Sequence, residues 1–140
     1  MDSSMDKVLT VIVPVYNMEK YIRQCLESLV IGEALDRIEV LVVLDGSAEI
    51  AYEFVEQYPD TFRIIYKANG GHGSAINTGL MMASGEYVKI LDSDDWVERD
   101  AFCRLVDCLE TEGTELARQA GRKIDENCYY VDVESVMYPI

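Results

Sequence analysis

Residues 87–99 read YVKILDSDDWVER, an apolar run that ends in three aspartates within four positions, Asp92, Asp94 and Asp95. The run up to Leu91 has the character of a buried strand, so the carboxylates stand where a strand leaves its sheet. Two carboxylates about 4 Å apart repel by roughly 4 kcal/mol at an effective dielectric of about 20, and without a cation one of them tends to hold a proton. A divalent metal removes that conflict. Extended backbone would turn Asp92 and Asp94 to one side and Asp95 to the other. Hard oxygen ligands of this kind suit Mn2+ or Mg2+, which accept one or two carboxylates and fill the remaining positions with phosphate oxygens and water. An EF-hand fits poorly, because no glycine follows at its sixth position and no glutamate at its twelfth. The competing reading has Asp94 and Asp95 simply opening a helix, where carboxylates favour the positive end of the dipole.

Upstream, the same device repeats: an apolar run, a polar turn, an amphipathic helix. VLTVIVPV (Val8–Val15) is rich in β-branched residues and stops at Tyr16 and Asn17, with Pro14 near its end. In YIRQCLESLV the residues Tyr21, Ile22, Cys25, Leu26, Leu29 and Val30 recur at helical spacing and form one stripe. IEVLVVL (Ile38–Leu44) is a second strand closed by Asp45 and Gly46, and Ile50, Ala51, Phe54, Val55 and Tyr58 mark a second helix, capped by Ser47 and closed by Pro59. FRIIYKA is a third strand. A glycine-rich turn, NGGHG, then leads into a third helix, SAINTGLMMA, whose end Gly85 marks. EYVKIL is the fourth strand, and Phe102, Leu105, Val106 and Leu109 repeat as a further helix. This alternation predicts an α/β fold, a mostly parallel sheet with flanking helices and right-handed crossovers. From Gly113 onward the pattern weakens into a polar stretch, read as a short helix and loop, with YYVDVESV as one more strand.

The chain has 140 residues, the size of one domain, and 49% hydrophobic with 27% charged residues is the balance of a folded globular protein. The sign of the charge is less ordinary. With 26 acidic against 12 basic residues the net charge is -14, which repels phosphate backbones and anionic lipid and argues against nucleic acid as a partner. The four cysteines show no CxxC spacing, and three fall in apolar-periodic segments, so they are read as reduced thiols serving as small buried hydrophobes. No transmembrane segment and no secretory leader is evident, so the expected location is cytoplasmic, with membrane association left to a longer parent protein.

In open α/β sheets, ligands bind beyond the carboxyl ends of the strands. The segments there are Pro14, Tyr16 and Asn17; Asp45, Gly46 and Ser47; Asn69 to Ser74; and the aspartates. Tyr16 either offers an aromatic surface or closes the core. Asp45 either accepts a hydrogen bond from a base N–H or is a turn residue. His72 is the single histidine, in a turn whose glycines let backbone approach a ligand closely; it either meets that ligand or is solvated. Trp96 either packs on a sugar or anchors the next helix.

The ordered series VIVPVYNMEKYIRQCLESL, EVLVVLDGS, NGGHGSAINTG and SGEYVKILDSDDW resembles the nucleotide-sugar half of glycosyltransferase family 2, the inverting enzymes of GT-A (Rossmann-like) fold. The resemblance implies a nucleotide-diphosphate sugar as donor, a UDP-sugar first among them, and a sugar or polysaccharide acceptor in the full-length enzyme. It further implies that Asp92 and Asp94 are the DxD motif that meets the metal and the diphosphate, and that Pro14, Tyr16 and Asp45 line the nucleobase and ribose pocket. Gly71 and His72 then belong to the donor side as well. Two positions depart from the family pattern. Leu44 stands before Asp45 where a second aspartate is usual, so the base contact rests on one carboxylate. Ile76 stands where a basic residue is common, which removes a partner for the diphosphate or the aspartates.

An inverting transfer needs a general base within reach of the acceptor hydroxyl. In the family that carboxylate lies downstream of the DxD motif, and none of Asp125, Glu126, Asp132 and Glu134 stands in a matching context. The expected division is therefore a donor-binding half-domain over residues 1–112 and a polar tail, 113–140, that begins the acceptor half. Such a chain reads as truncated, inactive in transfer on its own, and prone to self-association through apolar surface left uncovered. A non-catalytic nucleotide-binding or assembly module of degenerate GT-A fold is the alternative, which Leu44 and Ile76 favour. A nucleotidyltransferase would want a glycine-rich basic loop after the first strand, and PVYNMEK lacks one.

Overall fold

The computed structural model describes residues 7–16, 19–45, 49–67, 71–125, 128–131 and 137–138. Aliphatic and β-branched residues dominate Leu9–Tyr16 (β1) and Ile38–Asp45 (β2), which pair in parallel along their whole length, from Leu9 opposite Ile38 to Tyr16 opposite Asp45. β3 (Phe62–Tyr66) lies outside β2, and β4 (Tyr87–Ile90) lies on the other side of β1, both parallel to their neighbours. Between them come α1 (Glu19–Ser28), a short 3-10 helix (Gly32–Arg37), α2 (Glu49–Gln57) and α3 (Gly71–Met82). After β4 follow β5 (Trp96–Val97), α4 (Arg99–Ala120), β6 (Gly121–Asp125), β7 (Cys128–Val131) and β8 (Met137–Tyr138). β7 joins β4 in parallel and β6 closes the row antiparallel, so the sheet runs β3-β2-β1-β4-β7-β6, while β5 and β8 form a separate antiparallel pair.

The pleat sorts the side chains into two layers. Leu9, Val11, Val13 and Val15 of β1 and Val40, Val42 and Leu44 of β2 meet Ile22, Cys25 and Leu26 of α1, Leu29 just past its end, Phe54 of α2 and Phe102, Val106 and Leu109 of α4. Ile12, Val43 and Val88 point the other way, where Ala75 and Leu80 of α3 cover them. Both faces are therefore apolar, and this explains why the strands read as continuous runs rather than alternating ones. Gly79 lets α3 settle on β1: a Cβ built there would stand 2.7 Å from Ile12 Cγ2. The described residues contain no helix long and apolar enough to cross a membrane.

Several expectations need correction. The third helix begins at Gly71, so most of the glycine-rich turn is helical, and glycine's freedom is not used there for an open loop. Gly85 lies three residues past the end of α3 and serves a different purpose, since a Cβ there would meet the Thr10 backbone nitrogen at 2.7 Å. The polar stretch after Gly113 is not a short helix and loop: α4 runs unbroken to Ala120, and β6 follows directly. Position 112/113 thus falls inside α4, and β7 continues the main sheet. Cys25 is fully buried, but Cys103 only partly and Cys108 not at all; all three are free thiols. The Ser47 cap lies outside the described residues.

Candidate functional site

Because β1, β2, β3 and β4 are parallel, their carboxyl ends share one edge of the sheet, and the strand order reverses between β1 and β4. A cleft opens at such a reversal, because the connections leave the two strands in opposite directions. The expected site residues stand along this edge. Pro14 is buried near the end of β1; Tyr16 ends β1 directly opposite Asp45, which ends β2; and Asp92 follows β4, whose last register partner on β1 is Ile12. Gly71 and His72 form the first turn of α3 rather than a loop. Leu44 is 2% exposed and belongs to the layer under α1 and α2, so the missing carboxylate of the family pattern is replaced by core packing. Ile76 is half-buried on α3.

The acidic segment is a turn, not an extension of β4. Leu91 stays tied to β1 through its N–H to the Ile12 carbonyl at 2.9 Å, and the Asp95 N–H then closes back on the Asp92 carbonyl at 3.0 Å. Ser93 is buried within it. Ser and Asp favour such turns because their short polar side chains compete for local backbone groups. The consequence corrects the expected alternation: Asp92, Asp94 and Asp95 each bring a carboxylate oxygen within 4.8 Å of the others. The helix-opening reading also fails, since α4 starts at Arg99 and is capped by Glu98, whose carboxylate accepts the Ala101 N–H at 2.8 Å and the Asp100 N–H at 3.3 Å. Trp96 leads into β5, opposite Tyr138.

The electrostatics record the crowding. Partial burial, then the charges of Asp94 and Asp92, push the Asp95 carboxyl above the usual carboxylate range. Beneath the turn the Cys25 thiol is pushed far up, first by burial and then by Asp95, Asp92 and Asp94. This negative potential calls for a cation. Oxygens in the shell of a small divalent ion stand at most about 4.2 Å apart, so the three carboxylates need draw together only slightly to share one, and an all-carboxylate donor set suits Mg2+ or Mn2+ over softer metals. The convergence of Asp95 escaped the sequence reading, because only the turn, not the strand period, brings it to the same side.

Residues 10–132 match the family profile "Glycosyl transferase family 2". The chain is 46% identical over 99 residues to glycosyltransferase GlyA of Streptococcus pneumoniae, covering 69% of this chain and 14% of that protein. Among solved structures it resembles S. aureus TarS 1-349 in complex with UDP-GlcNAc, with TM-score 0.62 and 32% identity over 74% of this chain and 31% of that one. It also resembles the mannosyltransferase PcManGT from Pyrobaculum calidifontis in complex with GDP-Man and Mn2+, with TM-score 0.64 and 30% identity over 74% of this chain and 32% of that one. The chain thus spans less than a third of the length of each of these proteins. A parallel sheet that reverses order at β1 and β4, an acidic turn at that reversal and a profile match across most of the chain have one reading in common: this chain belongs to glycosyl transferase family 2 and carries its GT-A fold.

Proposed function

We propose that the chain binds the nucleoside-diphosphate end of a sugar donor, as part of an enzyme that transfers the sugar to an acceptor hydroxyl. The observation that carries this reading is the convergence of the carboxylates of Asp92, Asp94 and Asp95 beside the reversal of strand order. An acidic protein of net charge -14 repels a diphosphate unless a cation stands between them. Asp92 and Asp94 would hold that cation, Mn2+ or Mg2+, and Asp95 adds a third carboxylate. When bound, the cation neutralises charge that builds on the leaving diphosphate. Pro14, Tyr16 and Asp45, at adjoining strand ends, would receive the nucleobase and ribose, and Gly71 and His72, in the first turn of α3, would face the donor where helix N–H groups and the positive end of the dipole favour an anion.

A UDP-sugar is the donor we favour, supported by the UDP-GlcNAc complex of TarS; the GDP-Man and Mn2+ complex of PcManGT supports the metal. Residues 1–112 would form the donor half and 113–140 the beginning of the acceptor side. The acceptor, a sugar or polysaccharide, and the general base would then come from sequence that this chain does not identify, so the chain alone binds donor without transferring it. Exposed Tyr66, Met81 and Met82 offer apolar surface for self-association, and we place the protein in the cytoplasm, at the membrane surface in its full-length form.

The test is a thermal-shift screen of UDP, GDP and UDP-sugars with and without Mn2+. A ligand that binds only the folded state stabilises it by mass action, by about 2.7 kcal/mol at a concentration of a hundred times Kd, and so raises Tm. A rise for UDP that needs Mn2+ is expected. No shift for any nucleotide overturns the reading. A shift independent of metal favours the second reading, a nucleotide-binding or assembly module without transfer chemistry, to which the core position of Leu44 and the apolar Ile76 point.

A further inference from the structure

The acidic turn is fastened to the carboxyl end of α1 by hydrogen bonds to its backbone rather than to its carboxylates. The Cys25 thiol donates to the Asp92 carbonyl at 3.7 Å, so that carbonyl receives both the thiol and the Asp95 N–H. The Ser28 hydroxyl accepts the Val97 N–H at 3.2 Å and donates to the Cys25 carbonyl at 2.6 Å. Farther along, the Arg99 guanidinium donates to the Glu27 carbonyl at 2.9 Å. Cys25 is fully buried and Ser28 is 8% exposed. Their contacts grip the backbone at Asp92 and at Val97, on either side of Asp94 and Asp95.

Three like charges gathered in one turn push it apart, and a turn that spreads must be drawn together again whenever a cation arrives. Groups that hold the ligand-bearing backbone in place remove that cost, as the outer partners of metal ligands commonly do. Helix α1 is suited to the task. Its apolar stripe of Ile22, Leu26 and, one residue past its end, Leu29 is fully buried in the core, so the helix is a rigid rest. At its last turn the Ser28 hydroxyl answers the Cys25 carbonyl within the helix, while the Glu27 carbonyl accepts Arg99 from beyond the acidic turn as well as the Val30 N–H.

Resting on the reading that the turn holds a divalent cation, we propose that Cys25 and Ser28 are positioning residues for that cation, which keep the Asp92–Val97 backbone converged before it binds. The sequence presents Cys25 as an ordinary member of a helical stripe and does not single out Ser28, and only their neighbours across 67 and 69 positions reveal the role.

The probe is Mn2+ alone, titrated into the whole chain well below its Tm, with free Mn2+ read by electron paramagnetic resonance. Ser28→Ala and Cys25→Ala should each weaken Mn2+ binding about tenfold, within the range found for outer partners of metal ligands. Cys25→Ser, which keeps a donor in place of the thiol, should recover most of the loss. Thr10→Val, which removes a buried hydroxyl at the opposite end of the sheet, should lower Tm while leaving the Mn2+ Kd unchanged. A merely structural role for Cys25 predicts the same behaviour for Cys25→Ala as for Thr10→Val, and that result overturns the proposal. Should Ser28→Ala not fold, the Cys25 pair decides the matter alone. Absence of Mn2+ binding by the unsubstituted chain is a separate result: it overturns the functional reading itself, and the positioning role with it.

Discussion

The two ends of the sheet treat carboxylates in opposite ways. At the amino end, Glu39 on β2 is 4% exposed, yet its carboxylate accepts the Thr10 hydroxyl at 2.8 Å, the Ser84 N–H at 3.0 Å, the Ser84 hydroxyl at 2.9 Å and the Arg63 guanidinium at 3.0 Å. Thr10 in turn accepts the Gly85 N–H at 2.8 Å. At the carboxyl end, Asp92, Asp94 and Asp95 are gathered against one another, and Asp95 is raised in pKa by partial burial and then by its neighbours. The first arrangement is internally complete. In the second the carboxylates crowd one another, and the cation proposed above would relieve that crowding. Charge satisfied by the protein's own donors stabilises the fold, whereas charge left crowded at a strand end costs stability that a ligand can return.

Substitutions should separate the two ends. Glu39→Ala strands Thr10, Ser84 and Arg63 together and should cost about 3 kcal/mol, because hydrogen bonds to a buried charge are among the stronger ones. In a chain of this size that corresponds to roughly 10 °C in Tm, readable by circular dichroism. The Mn2+ affinity of the folded protein should not change; if it does, the ends are coupled. Asp94→Ala should invert the pattern, with loss of the Mn2+-dependent rise in Tm and little change without metal. Gly85→Ala drives a methyl group onto the Thr10 backbone, and an overpacked site of this kind should cost about 1–3 kcal/mol, seen as a lower denaturant midpoint.

Smaller effects test the electrostatics. A carboxyl whose pKa is raised on folding is destabilising once ionised, so near pH 7 Asp95→Asn should raise the metal-free Tm, by about 1–3 °C given its partial exposure. The same variant should lose part of the rise produced by Mn2+. A fall in the metal-free Tm instead would mean that Asp95 has a stabilising partner. Finally, alkylation followed by mass spectrometry should modify exposed Cys108 readily and Cys25 only on unfolding, because Cys25 is buried and its thiolate is further disfavoured by the aspartates.

The strands and helices of the first hundred residues were legible because both faces of the sheet are apolar, which gives continuous runs, while α1, α2 and α4 each bury one stripe. The start of α3 was not. Its glycines suggest a turn, and only packing of Ala75 and Gly79 on β1 and its neighbours makes a helix of that stretch. Beyond Gly113 the polar composition hid a continuing helix and β6, while the strand read from Tyr129 onward is β7, which draws its support from β4. Within the candidate site, the places of Pro14, Tyr16, Asp45, Asp92 and Asp94 at or just past strand ends could be read from where apolar runs stop. The convergence of Asp95 and the contacts of Cys25 and Ser28 could not, because they depend on a turn and on groups nearly seventy positions apart.

Local pattern alone therefore settles the first four strands, their alternation with helices, and that carboxylates cluster where the fourth of them ends. Those are matters of side-chain period and of where apolar runs stop. Tertiary structure decides the rest: that β4 lies beside β1 and opens the reversal of order, that the Asp92–Asp95 turn folds three charges to one side, and that α1 holds it there. Each of these depends on which distant groups meet, and a chain's periodicity carries no record of its partners.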